Sequence, residues 1–175
     1  MMREAGLSVR QLVAADAVAF RRLRLAGLRA HPTAFGADFA YESRQQLDFF
    51  SARLTNGTVY GVFTRDGTLA AIGGVYADTG QKTAHISTIW GIYVSPEHRG
   101  KGAADALMAA LIANRAARCQ QIRLSVAADN ATALRLYQRH GFRIWARDHG
   151  ALLVDGRLYD EILMRRDFDN TPPNP

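Results

Sequence analysis

The segment from Ile92 to Ala104 constrains the fold more than any other part of this chain, because a strand, a turn and the start of a helix follow one another directly. It begins with the apolar residues Ile92, Tyr93 and Val94 and passes through a basic, glycine-containing turn. The helix that follows is indicated by apolar residues three and four positions apart. Such a turn directs several backbone N–H groups to one point, at the positive end of a helix dipole. The sequence therefore predicts a phosphate-binding turn.

The residues of this turn suit an anion. Gly100 and Gly102 allow positive φ and close approach of a ligand to the backbone, and Arg99 and Lys101 add cationic side chains. The turn is not a Walker loop, because no Ser or Thr follows Lys101. It is not a dinucleotide fingerprint either, because Asp105 stands where the third glycine would be. On the turn alone, a ligand-free connection between strand and helix stays open.

A second pattern lies further along the chain. A strand is predicted from Gln121 to Val126, a helix from Ala131 to His140 with Asn130 as its N-cap, and a helix end at Gly141. This stretch contains N-x-x-A-x-x-L-Y-x-x-x-G-F, and the earlier turn contains R-x-x-G-x-A. In this order and spacing, the two patterns resemble the acetyl-CoA signature of the GCN5-related N-acetyltransferase (GNAT) superfamily.

The resemblance implies a single mixed α/β domain over residues 1–168, followed by a disordered tail at 169–175. In that family helices flank a mostly antiparallel sheet, whose fourth and fifth strands run parallel and splay apart. Local patterns predict helices from Ala17 to Arg29 and beyond a Ser43 cap. The remaining predicted strands are Leu7 to Arg10, Thr58 to Thr64, Thr68 to Ala77, Thr83 to Val94, Phe142 to Arg147 and Leu158 to Met164.

The resemblance also implies an N-acetyltransferase that uses acetyl-CoA and an amine acceptor, without a metal. The pyrophosphate of the cofactor would lie on the backbone of the turn formed by Arg99, Gly100, Lys101, Gly102, Ala103 and Ala104. Strand residues Ile92, Tyr93 and Val94 would pair with the pantetheine arm, and a backbone N–H near Ile92 would bind the oxyanion. Asn130 would hydrogen-bond the same arm, unless it is simply an N-cap.

Tyr137 is the candidate general acid, because it matches the family tyrosine that faces the sulfur and a phenol is protonated at neutral pH. The alternative is a tyrosine of the core. No carboxylate lies on the predicted fourth strand, where many family members carry a glutamate base. His85 and Glu42 are the titratable substitutes, each with a plain surface role as its alternative, and a water-mediated base stays open.

The connection from His31 to Glu42 is rich in aromatic residues, including Phe35, Phe39 and Tyr41. By resemblance it borders the acceptor cleft. Aromatic walls with one carboxylate favour a small or peptide-like amine with apolar bulk, held partly by Glu42. Alternatively, these rings simply pack two helices on the sheet.

Composition limits the remaining classes. With 175 residues, 48% hydrophobic and 22% charged, the chain is typical of one soluble domain. The net charge of +6 suits CoA phosphates. It would equally suit nucleic acid, but no recognised nucleic-acid motif is present. No membrane span or signal peptide is apparent, so a cytoplasmic protein is expected. The sequence leaves open a homodimer and a non-catalytic acyl-CoA-binding module.

Overall fold

The computed structural model describes residues 6–168, so the predicted tail at 169–175 lies outside the described residues. Within this range the sheet strands are β1 (Ser8–Gln11), β2 (Thr58–Phe63), β3 (Leu69–Ala77), β4 (Ile86–Val94), β5 (Gln121–Ala127), β6 (Arg143–Val154) and β7 (Arg157–Asp167). The helices are α1 (Ala17–Ala30), α2 (Phe39–Ser43), α3 (Leu47–Asn56), α4 (Ala103–Ala116) and α5 (Ala131–Arg139). None of these helices is long and apolar enough to cross a membrane.

The strands form one sheet in the order β1-β2-β3-β4-β5-β7-β6. Every neighbouring pair is antiparallel except β4 and β5, which are parallel. The β4–β5 pairing extends only over Ile86–Gln121, Ser87–Ile122 and Thr88–Arg123. Beyond Thr88 the two strands separate. The predicted mixed fold and its splayed parallel pair are thus confirmed.

The sheet carries a core on each face. One core joins the sheet to α4 and α5 and includes Leu107, Met108 and Leu111, all fully buried. The other joins it to α1 and α3 and includes Phe20 and Phe50. Burying a large apolar side chain contributes roughly 1.5–3 kcal/mol. The two cores therefore hold the helices, and with them the connections that border the splayed strands.

A bulge in β4 lies beside the point where β4 leaves β5. Ile72 pairs with Tyr93 and Gly74 pairs with Trp90, so Gly91 and Ile92 together face a single residue of β3. Gly91 has a φ of 67°, which a side chain would strain. A Cβ on Gly74 would come within 2.2 Å of Trp90 Cε2, so glycine is needed there to seat the indole.

Three element predictions were wrong. Ser43 does not cap the second long helix: it is the last residue of the unpredicted helix α2, and α3 begins at Leu47. Strand β4 begins at Ile86 rather than Thr83, because hydrogen bonds from Thr83 N–H to Gly80 and from Ile86 N–H to Thr83 form a turn. Strand β6 runs to Val154 instead of ending at Arg147, because it pairs with β7 along most of its length.

Candidate active site

A cavity of about 670 Å³ opens where β4 and β5 separate. Its walls are the β4 residues 89–94, the β5 residues 124–127, the turn that precedes α4, one side of α5 and the end of α1. Of the thirteen residues that carry sequence-predicted roles, the cavity is lined by Ile92, Tyr93, Val94, Arg99, Gly100, Gly102, Ala103, Ala104, Asn130 and Tyr137. Lys101, His85 and Glu42 are not among its lining residues.

The turn before α4 is shaped for an anion. Gly102 is the N-cap of α4 with a φ of 84°, and no side chain caps this helix. Gly100 also has a positive φ, and a Cβ built on either glycine would meet nothing within 4 Å. The first N–H groups of a helix have no partner inside it, so here they face the open cavity. This geometry fits a pyrophosphate.

Charged side chains border the turn. Asp105, in the first turn of α4, would repel a phosphate if it pointed inward. Instead it accepts hydrogen bonds from Arg139 Nη2 at 3.1 Å and contacts His140 Nε2 at 3.0 Å. Arg135 and Arg139 of α5 line the same side of the cavity. They were not predicted, although their i, i+4 spacing on a predicted helix signals a shared face.

Arg99 lies against the end of β4. Its Nε donates to the carbonyl of Val94 at 3.2 Å, and its Nη2 lies 3.3 Å from His31 Nε2. The guanidinium carbon stands 5.9 Å from the centre of the Tyr93 ring. His31, the C-cap of α1, also lines the cavity. This contact joins the turn before α4 to the end of α1.

The cavity edge of β4 is suited to pairing with an extended ligand. The pairing with β5 ends at Thr88, so on this side the β4 residues from Ile89 to Val94 border the cavity and have no neighbouring strand. On the other side β4 stays paired with β3. The bulge at Gly91 turns the backbone at the middle of this edge. Unpaired backbone groups of an edge strand bind another extended chain by ladder hydrogen bonds. The amides of a pantetheine arm have the required donors and acceptors.

Tyr137 of α5 and Asn130, the N-cap of that helix, lie on the opposite wall. Tyr137 is 7% exposed, and burial raises the pKa of its phenol to about 12. Its ring packs edge-on to Phe142 at 6.2 Å, so it is also a core residue. The Asn130 side chain accepts the Ala133 N–H at 3.1 Å, which is the N-cap geometry. Asn130 also lines the cavity, so its N-cap role is compatible with a contact to a ligand there.

His85 and Glu42 are placed elsewhere. His85 is exposed in the turn before β4, at the strand end opposite the cavity, and its carbonyl accepts the Gln120 N–H at 2.8 Å. Glu42 is 2% exposed and is neither solvated nor open to the cavity. It accepts from Arg24 Nε and Nη2 at 3.1 and 2.9 Å and from Arg53 Nη1 at 3.1 Å. Burial favours a higher pKa for Glu42, but the hydrogen bonds and charge of Arg24, with those of Arg53, outweigh it and lower that pKa.

Sequence reasoning missed several residues around this network. Trp90 and Arg24 had no predicted role, whereas Phe35 was expected to border the acceptor cleft. Trp90 and Phe35 line the cavity, and the guanidinium carbon of Arg24 lies 5.7 Å from the ring centre of each. Arg24 is 5% exposed. Its position on the apolar face of α1 was the available signal, because a charged residue there is buried only with a partner.

The comparisons with known proteins agree with this architecture. The sequence profile of the acetyltransferase (GNAT) family matches residues 24–142, which is more than half of the chain. The chain therefore belongs to the GNAT acetyltransferase family. Among curated proteins, none matches this chain.

Solved structures share the fold at low sequence identity. The acetyltransferase of the GNAT family from Streptococcus pneumoniae has a TM-score of 0.81 at 21% identity, covering 93% of this chain and 99% of its own. The protein yncA from Salmonella typhimurium, solved with its cofactor acetyl-CoA, has a TM-score of 0.77 at 20% identity, covering 97% and 98%. The ribosomal-protein-S18-alanine N-acetyltransferase from Escherichia coli has a TM-score of 0.72 at 19% identity, covering 97% and 98%.

Proposed function

We propose that this protein transfers an acetyl group from acetyl-CoA to a primary amine of a small molecule or peptide, with both substrates bound together. The observation that carries the proposal is the meeting of three features in one cavity. These are the uncapped start of α4, the unpaired edge of β4 and the phenol of Tyr137. The acetyl-CoA bound by the structurally similar yncA supports the choice of cofactor.

Each wall of the cavity has a separate task. The backbone N–H groups at the start of α4 hold the pyrophosphate, and Arg135 and Arg139 supply positive charge beside it. The edge of β4 pairs with the pantetheine arm. A backbone N–H at the bulge of Gly91 and Ile92 would bind the oxyanion, and such electrostatic stabilisation is the largest single contribution in many acyl transfers. Lys101, exposed and outside the cavity lining, contributes through its backbone and its long-range charge.

Tyr137 acts on the leaving sulfur. Acetyl-CoA supplies the acetyl group as a thioester, and its thiol leaves once the amine nitrogen has bonded to the acetyl carbon. With its pKa at about 12, the Tyr137 phenol is protonated throughout the neutral range. Complete transfer of that proton to a thiolate whose pKa is about 8.5 is uphill by about 5 kcal/mol. Tyr137 therefore stabilises the developing thiolate by donating a hydrogen bond, and solvent completes the protonation.

The amine reacts in its neutral form. Within residues 6–168, Asp105 is the only carboxylate among the cavity-lining residues, and it is engaged by Arg139 and His140. Neither His85 nor Glu42 lines the cavity. Two histidines also line the cavity, and each ring already contacts a neighbour: His31 Nε2 lies 3.3 Å from Arg99 Nη2 and His98 Nδ1 lies 2.7 Å from Ser95 Oγ. In this proposal the amine enters in its neutral form from solution, and water accepts the proton that the nitrogen loses after attack.

The test is release of CoA thiol, followed with a thiol-reactive chromophore, across a panel of amines. The panel contains free amino acids, a polyamine and a peptide with an N-terminal alanine. Amine-dependent release that falls in Tyr137→Phe supports the proposal. Tight acetyl-CoA binding by calorimetry with no release for any amine would instead support a non-catalytic acyl-CoA-binding module. Absence of acetyl-CoA binding would contradict both functions.

A further inference from the structure

Arg24, Glu42 and Arg53 form a cluster behind the cavity wall of Phe35 and Trp90, in which Arg24 and Glu42 are buried and Arg53 keeps about a quarter of its side chain in solvent. It contains two guanidinium groups and one carboxylate, so it carries net positive charge. A buried charge without a partner is costly, and proteins retain one mainly where something pairs with it. The net positive charge of the cluster therefore favours an additional anion beside Arg24.

One atom of the cluster is available to that anion. Arg24 uses Nε and Nη2 for Glu42, and among residues 6–168 its Nη1 has no hydrogen-bond partner. Among the described residues, the side-chain nitrogens that are fully buried and lack a partner are Arg21 Nε and Arg165 Nε. Arg24 Nη1 is not one of them, so this unpartnered nitrogen is in contact with solvent. Arg24 as a whole is only 5% exposed, so this donor belongs to an otherwise buried residue.

Gly91 connects this nitrogen to the cavity. Gly91 lines the cavity, and a Cβ built on it would stand 3.1 Å from Arg24 Nη1. Arg24 is not itself a lining residue, so a ligand in the cavity would approach Nη1 over Gly91, which has no side chain in the way. The rings of Phe35 and Trp90, which line the cavity, each lie 5.7 Å from the Arg24 guanidinium carbon, and Gly91 belongs to the β4 bulge at which the acetyl group would be attacked.

We propose that Arg24 Nη1 binds a carboxylate of the acceptor, so that the substrate is an amino carboxylate such as a free α-amino acid with an apolar side chain. This inference rests on the proposed acetyl transfer to an amine. Glu42 then acts as a positioning residue, because it holds the guanidinium by its other edge. Phe35 and Trp90 contact the apolar part of the acceptor. The net positive cluster disfavours a polycationic acceptor.

The experiment compares amino acids with their carboxamides, using leucine with leucinamide and phenylalanine with phenylalaninamide. A charge-assisted hydrogen bond in a desolvated site is worth roughly ten- to hundredfold in kcat/KM, and we expect this preference for the carboxylate. The amine of a carboxamide is the weaker base, so more of it is neutral, which biases the comparison against the proposal. Equal or better rates with the carboxamides would overturn it.

Two variants separate carboxylate binding from structural support. Arg24→Gln/Glu42→Gln removes the pair without leaving an unmatched charge between them and should abolish the preference, while acetyl-CoA affinity by calorimetry is unchanged. Arg29→Gln removes an exposed arginine from the same helix and should retain the preference. A double variant that binds acetyl-CoA and still prefers the carboxylate would contradict the assignment.

A binding measurement distinguishes failure of this inference from failure of the proposed function. The probe is 3-phenylpropionate, which has the carboxylate but no amine, titrated into the CoA-saturated protein. Binding to the wild type that is lost in the double variant supports the carboxylate site even if no amine is acetylated. Absence of binding to the wild type would overturn the inference and leave acetyl transfer to another class of amine.

Discussion

Replacing Glu42 with glutamine should strongly destabilise the fold. Glu42 and Arg24 are 2% and 5% exposed, so the substitution leaves the Arg24 charge buried with no counterion. Arg53 keeps about a quarter of its side chain in solvent, so the loss of the Glu42 charge destabilises its guanidinium less. Breaking a buried ion pair from one side costs about 3–5 kcal/mol. For a chain of this size that corresponds to a Tm lowered by roughly 6–20 °C.

The assay is urea unfolding at neutral pH, followed by circular dichroism and extrapolated linearly to water. Glu97→Gln is the matched control, because it makes the same chemical change at an exposed position. Its free energy of unfolding should stay within about 0.5 kcal/mol of the wild type. Arg24→Gln/Glu42→Gln should be more stable than Glu42→Gln alone, because the unmatched buried charge is gone.

The pH dependence of stability provides an independent check. Because the pKa of Glu42 is lower in the folded than in the unfolded protein, its contribution is complete above its ordinary value of 4.5 and is lost as the pH falls through the lowered value. The stability of Glu42→Gln should therefore lack this loss as the pH falls. A Glu42→Gln variant within about 1 kcal/mol of the wild type, at an unchanged m-value, would refute the assignment of a critical buried ion pair.

Three further outcomes concern the cavity. Tyr137→Phe should lower kcat by roughly 10–1000-fold with acetyl-CoA affinity almost unchanged; full activity in steady-state assays would show that the thiolate leaves unaided. Gly102→Asp should abolish acetyl-CoA binding in calorimetry. Gly102→Ala should cost only about 1–2 kcal/mol of backbone strain at positive φ, and equal affinity in both variants would exclude this turn as the phosphate site. kcat/KM should rise about tenfold per pH unit up to the pKa of the acceptor amine, because Tyr137 remains protonated; a decline below that point would reveal a titrating group of the enzyme.

Local chemistry explains the correct element predictions. The hairpin turn at Asp66 and Gly67 and the turn at Asp155 and Gly156 both use positive φ, which Asp-Gly pairs adopt readily. Asn130 caps α5 through a hydrogen bond to a residue three positions away. The prediction of Ser43 as a helix cap was wrong because Asp38 accepts the Tyr41 N–H and starts an additional short helix that ends at Ser43. Several residues in this region have capping chemistry, and propensity alone does not rank them.

The sequence by itself determined the segments to which we assign the cofactor, and the tertiary structure decided the surroundings of Arg24 and Glu42, to which we assign the acceptor. The turn at 99–104 and the helix that carries Tyr137 are continuous segments whose backbone geometry follows from nearby residues. Arg24 and Glu42 are 18 positions apart and belong to different helices, so only the packing of α1 and α2 on the sheet brings them together. The same packing buries Glu42, removes it from the cavity and leaves Arg24 Nη1 beside Gly91. Burial and long-range pairing depend on how distant segments fill the space between them, and no local pattern encodes that.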